Sequence, residues 1–396
     1  MHLGSQPMSK RLNPVFADRP VTIFQVMSAL AGEHDAINLG QGFPDEDGPQ
    51  SILDAAAAAL LKGPNQYAPV AGVPVLRQAV ARANARFYGL EVDWKMETLV
   101  VAGATEGLAS TFLAFLEPGD EAILLAPFYD SYLPMVEAAG ARARIVRLKP
   151  PDWRLEQEAL ERALTPKTKL IAINTPHNPT GAVMTARELE TIARAAVERD
   201  LIVVCDEVYE HLLFDGAQHR PLINFPGMRE RAVRIGSAGK TFSLTGWRIG
   251  YLTGPERLIA GVMKAHQFIA YTSPPHLQQA VAMGLDLDDS YYAGFVAGMQ
   301  EKRDLMCSGL VAAGFDAQPC AGTYFMTVDI RSVGYKGDDM AFCREITEKA
   351  KVCAVPVSAF YPADDQDAPR HYARFCFCKK RPVLEEASAR LKAYFA

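Results

Sequence analysis

Short runs of aliphatic and β-branched residues alternate with amphipathic stretches along most of the chain. Residues 98–102 (TLVVA) predict a strand, and 106–115 a helix whose Leu108, Phe112 and Leu113 share a face, continued by Leu116. The pattern repeats as strand 121–126 (EAILLA) and helix 131–139, then strand 170–174 (LIAIN) and helix 186–198. Further strands are predicted at 201–205 (LIVVC), 232–235 and 249–252. Continuous apolar runs separated by helices are the mark of strands buried on both faces of a mostly parallel sheet. Past residue 285 the pattern changes to a long helix at 290–312 and two strands, 323–330 and 372–377, that read as half-buried. The expected division is an N-terminal arm with part of a small domain (1–45), a large domain (46–285) and a small C-terminal domain (286–396). No period of 20–50 residues repeats, which argues against a solenoid or propeller.

Composition narrows the function classes. The 396 residues hold 41 Lys and Arg against 46 Asp and Glu, a net charge of −5, and 49% are hydrophobic. There is no basic excess to neutralise phosphates, so a nucleic-acid partner is not expected. The longest uncharged stretch, 265–285, carries Pro274, Pro275, two histidines and three glutamines, too polar for a membrane span. The start, MHLGSQPMSKR, has no apolar run behind its basic residues, so no secretory leader is expected and Met8 is the expected natural start. Seven scattered cysteines fit buried free thiols in a reducing, cytoplasmic setting. Cys376 and Cys378 lack a second close pair, and no metal site is expected.

Ligands of open α/β sheets sit outside the carboxyl ends of the strands, and the unusual polar residues cluster there. Gly103, Ala104 and Thr105 follow the first strand, Pro127, Phe128 and Tyr129 the second, and NTPHN (174–178) the third. Asp206 ends the fourth, and SAGK (237–240) follows the fifth. Gly239-Lys240-Thr241 invites a phosphate-loop reading, but that motif requires glycine where Arg234 stands and a helix after the lysine. A nucleophile elbow fails because residue 235 is isoleucine. No dinucleotide fingerprint follows any predicted strand, which sets aside an NAD-dependent oxidoreductase.

What remains at Lys240 is a strand-end lysine among small residues, where burial disfavours the ammonium and suits Schiff-base chemistry. Asp206 delivers a carboxylate to the ligand edge, where a protonated pyridine nitrogen would satisfy it; a helix N-cap is the plainer alternative. The turn 103–105 opens a helix and offers N–H groups to an anion. Arg374 interrupts an alternating strand with the side chain that grips carboxylates bidentately, unless it faces water from a sheet edge. Together these make the parts list for amino-acid chemistry on pyridoxal phosphate.

The segments NLGQGFPD (38–45), NQYAPVAGVPVLRQAVA (65–81), PFYDSY (127–132), NTPHNPTG (174–181), CDEVYE (205–210), SAGKTFSLTGWRIGY (237–251) and ARFCFC (373–378) carry a closer likeness. With them the chain resembles the class I aminotransferases of PLP fold type I, in the branch that includes kynurenine, glutamine and methionine aminotransferases. The resemblance implies an α/β fold: a large domain with a mostly parallel seven-stranded sheet between helices, and a smaller α+β domain. It implies pyridoxal 5′-phosphate as cofactor, with Lys240 as Schiff-base lysine and catalytic base. Asp206 would face the pyridine nitrogen, Asn178 and Tyr209 the phenolic oxygen, and Tyr129 the ring face. Gly103, Ala104, Thr105, Ser237 and Arg248 would hold the phosphate, joined by Tyr67 from the neighbouring subunit of a homodimer. Arg374 would bind the substrate α-carboxylate, helped by Asn178 and the backbone near Gly42.

The implied reaction is a ping-pong transfer of an amino group from an L-amino acid to a 2-oxo acid. No match is found to the second arginine of aspartate-specific relatives. Phe24 and the Tyr271-Thr272-Ser273 run depart from the kynurenine-type pattern. Phe24, Tyr67, Tyr129 and Tyr271 favour apolar, sulfur-containing or aromatic side chains. Two rivals share the fold. A carbon–sulfur β-lyase would use the same lysine and aspartate to expel a β-substituent. A regulatory module would carry a DNA-binding domain ahead of NLGQGFPD, where only about forty residues stand.

Overall fold

A computed structural model describes residues 11–17, 19–317 and 320–396; Met8 and the first ten residues lie outside them. Twelve strands occur among the described residues. In chain order they are β1 (Ile37–Asn38), β2 (Thr98–Val101), β3 (Glu121–Ala126), β4 (Arg142–Arg147), β5 (Thr168–Asn174) and β6 (Ile202–Asp206). Then follow β7 (Ala232–Ser237), β8 (Gly250–Thr253), β9 (Phe325–Asp329), β10 (Val352–Cys353), β11 (Val355–Pro356) and β12 (Tyr372–Cys376).

The seven-stranded sheet has the order β2-β8-β7-β6-β5-β3-β4, and only β8 runs against its neighbours. This is the mostly parallel sheet that the apolar runs predict. Every residue of β2, β3 and β7 is buried, because helices cover both faces. Those helices carry local signals: Ala186–Glu198 begins with a Thr185/Glu188 capping box and buries Leu189, Ile192, Ala193 and Ala196. Pro74 opens Pro74–Tyr88 at its first turn, where its missing N–H costs nothing.

The register sets up the site. Asn174 pairs with Asp206, and Asp206 with Ile235, so β5, β6 and β7 end side by side. Their last polar residues therefore reach one edge.

A second apolar cluster surrounds the antiparallel sheet β11-β12-β9. It includes Met27, Ala31 and Leu39 with Phe325, Met326, Phe342, Phe375 and Leu384. The parallel pair β1–β10 joins the early chain to the late one, and Cys376 N donates to Leu39 O at 2.7 Å. The segment after β6 (Val208, Tyr209, Leu212, Phe214) packs on this cluster too.

Two expectations need correction. The 372–377 strand is not half-buried: all five residues of β12 are buried, because β12 is the middle strand of three. The pattern also missed β4. Its sequence RARIVR exposes Arg142 and Arg147 at the sheet margin, where charge blunts an open edge.

Candidate active site

Lys240 stands on the short helical turn Ala238–Thr241 that continues β7. Its Nζ donates to the Tyr324 hydroxyl at 2.8 Å, and that hydroxyl donates to Gly42 O at 2.8 Å. The amine lies 5.5 Å from the ring centroids of both Tyr209 and Tyr324. Burial disfavours the ammonium and lowers the Lys240 pKa to about 8. A far larger share is free amine near neutrality than for a solvated lysine.

Asp206 closes β6 and is 5% exposed. The Tyr132 hydroxyl donates to Oδ2, and Val208 N to Oδ1 at 3.3 Å. Burial raises its pKa to about 6 despite the Tyr132 bond. Among the described residues no Lys, Arg or His stands within ion-pair distance of it. A buried carboxylate held by hydroxyl and amide donors alone is a site for a cation.

The turn before helix Ala104–Phe115 requires glycine. Gly103 has φ +81°, and a β-carbon there would meet the Arg248 guanidinium at 2.4 Å. Gly250 presses on the same turn, since its β-carbon would lie 2.9 Å from Ala104 N, and Gly250 pairs with Ser237. Gly103, Ala104, Ser237 and Arg248 thus converge on one spot. Thr105 joins them, its hydroxyl 3.5 Å from that of Tyr129. Behind the turn, Glu106 accepts from Ala102 N at 2.9 Å and faces His266 Nδ1 at 3.0 Å.

Arg374, in β12, is 1% exposed, so the water-facing alternative is wrong. Nη1 donates to Asn178 Oδ1 at 2.8 Å, and Nη2 donates to Gly40 O. Nε is buried without a partner. Phe325, Phe360 and Phe24 surround the guanidinium at 4.0, 5.0 and 5.2 Å. No carboxylate among the described residues pairs with it, and burial lowers its pKa to about 10.

Asn178 thus touches Arg374 through its carbonyl oxygen, which leaves its amide nitrogen to donate elsewhere. Its own N–H is fixed by Asn174 Oδ1 at 2.7 Å. Tyr209 packs edge-on against Tyr324 at 5.2 Å. Gly42 O is occupied by Tyr324, whereas the carbonyl that meets Arg374 belongs to Gly40. Two residues stand apart within the chain. Tyr67 is 84% and Tyr271 43% exposed, and they pack on each other at 5.3 Å rather than on Phe24.

Sequence reasoning missed Tyr324, Phe325 and Phe360, which no motif marks. It also passed over Tyr132, three residues beyond Tyr129 in the quoted PFYDSY. A polar residue one helical turn from a named one was the available signal.

This geometry fits pyridoxal phosphate: a buried amine, an unpaired carboxylate one strand away, and a glycine cradle closed by an arginine. The sequence profile "Aminotransferase class I and II" matches residues 34–391. The chain belongs to this family. Class I and II aminotransferases depend on pyridoxal phosphate, and this enzyme is one of them. A probable N-succinyldiaminopimelate aminotransferase of Mycobacterium tuberculosis is 47% identical over 378 residues, covering 93% of this chain and 95% of the relative. Methionine aminotransferase of Escherichia coli is 38% identical over 371 residues, covering 94% and 95%. The aminotransferase also superposes on the structure of N-succinyldiaminopimelate aminotransferase from Mycobacterium tuberculosis. There the TM-score is 0.94 at 45% identity, over 98% of this chain and 100% of that one. The fold is PLP fold type I.

The two shifted groups predict how cofactor capture by the apo-protein depends on pH. With Lys240 as the cofactor-linking lysine, only its free amine would attack an aldehyde, and the capture rate should then climb as pH rises through about 8. With Asp206 as the partner of the ring nitrogen, it would attract a ring cation only when ionised, and retention should then fall as pH drops below about 6. Following the growth of yellow absorbance across pH checks both; a capture rate independent of pH around 8 would contradict the Lys240 assignment.

Proposed function

We propose that the enzyme moves an amino group from an L-amino acid with an apolar, sulfur-containing or aromatic side chain to a 2-oxo acid, in two half-reactions at one site. The observation that carries this is Arg374. It is a buried guanidinium with a free Nε and, among the described residues, no paired carboxylate, in Coulombic range of the Lys240 amine. An α-carboxylate supplies the missing charge and presents its Cα to Nζ.

The residues divide the work as follows. Asp206 holds the ring nitrogen, Asn178 and Tyr209 the phenolic oxygen, and Tyr129 the ring face. The turn 103–105, Ser237 and Arg248 take the phosphate. When bound, the cofactor supplies an electron sink for charge at the substrate Cα. Lys240 Nζ takes and returns the Cα proton as general base, and the Tyr324 hydroxyl keeps that nitrogen in place.

Phe24 and Phe360 beside Arg374 support an apolar side chain, as does the methionine aminotransferase relative. The 47% identical relative favours a second reading, in which the donor is N-succinyldiaminopimelate. Single-turnover assays decide, with methionine, phenylalanine, tyrosine, glutamine and N-succinyldiaminopimelate each offered to the loaded enzyme. We expect methionine and the aromatic donors to bleach the yellow form fastest. A succinylated donor that is faster by about tenfold or more, some 1.4 kcal/mol of barrier, would replace the first reading with the second. Pyruvate and ammonia released from a cysteine conjugate without any oxo acid would instead mark the β-lyase.

The working unit in this proposal is a homodimer. Support comes from Leu61, Tyr67, Phe268, Ile269 and Tyr271, apolar side chains left exposed on one chain, with Tyr67 reaching the partner's phosphate. Most of the apolar cluster around β9 and β12 comes from residues before 45 and after 285, which supports domain limits near those positions. Seven buried, unpaired cysteines support a cytoplasmic setting.

A further inference from the structure

A second charged cluster lies across the sheet from the amine. It centres on Arg234, the residue that spoils the phosphate-loop motif. Arg234 sits within β7, in register with Cys205 of β6 and Thr253 of β8. Side chains alternate along a strand. Arg234 therefore shares a face with Cys205 and with Glu207, one residue past β6, while Asp206 turns the other way. The pairing continues that far, because Glu207 N donates to Ile235 O at 3.0 Å.

The Arg234 side chain is buried and uses each of its nitrogens. Nε donates to Glu207 Oε2 at 2.6 Å, Nη2 to Glu210 Oε2 at 2.8 Å, and Nη1 to Asn84 Oδ1. The guanidinium lies 4.5 Å from the Tyr88 ring centroid. His219 Nε2 meets the same Glu207 oxygen at 2.8 Å, and the Tyr88 hydroxyl donates to Glu210 at 2.7 Å. Burial alone would raise the Glu207 pKa, yet Arg234 and His219 hold it at about 2. The carboxylate is thus ionised throughout the working range.

Glu207 and Glu210 are the two ends of one turn, closed by Glu210 N donating to Glu207 O at 2.9 Å. Asp206 precedes that turn and Tyr209 lies inside it. Arg234 grips the turn from behind at both ends. A buried ion pair is weak grounds for stability, because desolvation offsets its Coulomb gain. Apolar side chains would hold β6 against β7 equally well. Only a planar fork fixes both the distance and the direction of the turn.

We infer that Arg234 is a positioning residue for the cofactor ring: by holding Glu207 and Glu210 it sets where Asp206 and Tyr209 stand. The inference rests on the proposal that those two residues hold the ring. It also explains the geometry of the lysine, since β7 carries Arg234 and runs directly into the turn that bears Lys240. One arginine ties the lysine strand to the aspartate segment.

Arg234→Met alone leaves Glu207 with His219 as its one cationic partner among the described residues and Glu210 with none in the core, and risks unfolding the chain. The decisive variant is Arg234→Met with Glu207→Gln, which removes one charge of each sign; Glu210 keeps its Tyr88 donor. Two quantities are read on the full chain. One is the dissociation constant of pyridoxal phosphate, from quenching of protein fluorescence. The other is the pH midpoint of the absorbance change of the lysine-linked cofactor. A displaced Asp206 stabilises the ring-nitrogen charge less, which makes a proton on the lysine-linked nitrogen easier to keep. We expect affinity weaker by about tenfold, and a midpoint raised by about half a unit or more. Arg234→Lys, which keeps the charge and loses the fork, should move both the same way by less. A double variant that melts earlier but binds the cofactor with wild-type affinity and midpoint overturns the inference. If the wild-type chain itself shows no lysine-linked absorbance, the ring-binding assignment fails first and takes this inference with it.

Discussion

Replacing Lys240 with alanine is expected to lower kcat by at least about 10⁴-fold, because in the proposed function it removes the base and the attachment point together. General base catalysis by a positioned side chain contributes about 10²–10⁴-fold, and loss of the covalent link adds to that. The remaining ring and phosphate contacts are untouched, so cofactor should still bind, but release on dialysis. Borohydride should fix it to the wild-type chain and leave the variant unmodified, as intact-mass measurement would show. The fold should not suffer. The amine is a buried group whose charged form is already disfavoured, and the Tyr324 hydroxyl keeps its bond to Gly42 O. An apo-variant melting no lower than apo-wild type would separate chemistry from stability. Transamination by Lys240→Ala at the wild-type rate would end the assignment.

Arg374→Met is expected to be the next most damaging change, and to act on a different parameter. The α-carboxylate does not react, so the contact proposed for it with Arg374 would be made in ground and transition states alike, and its loss should fall mainly on KM. Truncating one partner of a buried, hydrogen-bonded charge pair costs about 2–5 kcal/mol, or about 30- to 4,000-fold in kcat/KM. The loss should appear in both half-reactions, since amino acid and oxo acid share the carboxylate. A simple amine without a carboxylate should react equally fast with both proteins, which makes it the control. The apo-variant should be at least as stable as wild type, because an unpaired buried charge is exchanged for an apolar chain. An unchanged KM for every carboxylate substrate would mean that Arg374 binds something else.

Much of this was readable from the chain. Apolar runs at 121–126, 201–205 and 232–235 announce doubly buried strands, and the rule that ligands gather at their carboxyl ends leads to Asp206 and Lys240. β4 escaped because three arginines hide its alternation, and only its place beside β3 makes it a strand. The strand pattern alone left a water-facing Arg374 open as the alternative to carboxylate binding, because nothing in YARFC tells that β9 and β11 flank it on both sides. Tyr324 lies 84 residues from Lys240 and Tyr132 lies 74 from Asp206. Contacts of that span are set by how distant elements pack, which no local pattern records.

The stretch from Gly40 to Gly42 has a consequence for how short the chain can be. Its carbonyl oxygens receive Arg374 and Tyr324, and a methyl group at Gly42 would enter the Phe325 ring, 2.3 Å away. Bare backbone here meets both of those side chains. A protein trimmed to begin after residue 45 would retain the entire seven-stranded sheet, yet Tyr324 would lose its acceptor and Arg374 would keep only Asn178. What looks like a dispensable leader to the catalytic body is part of its masonry.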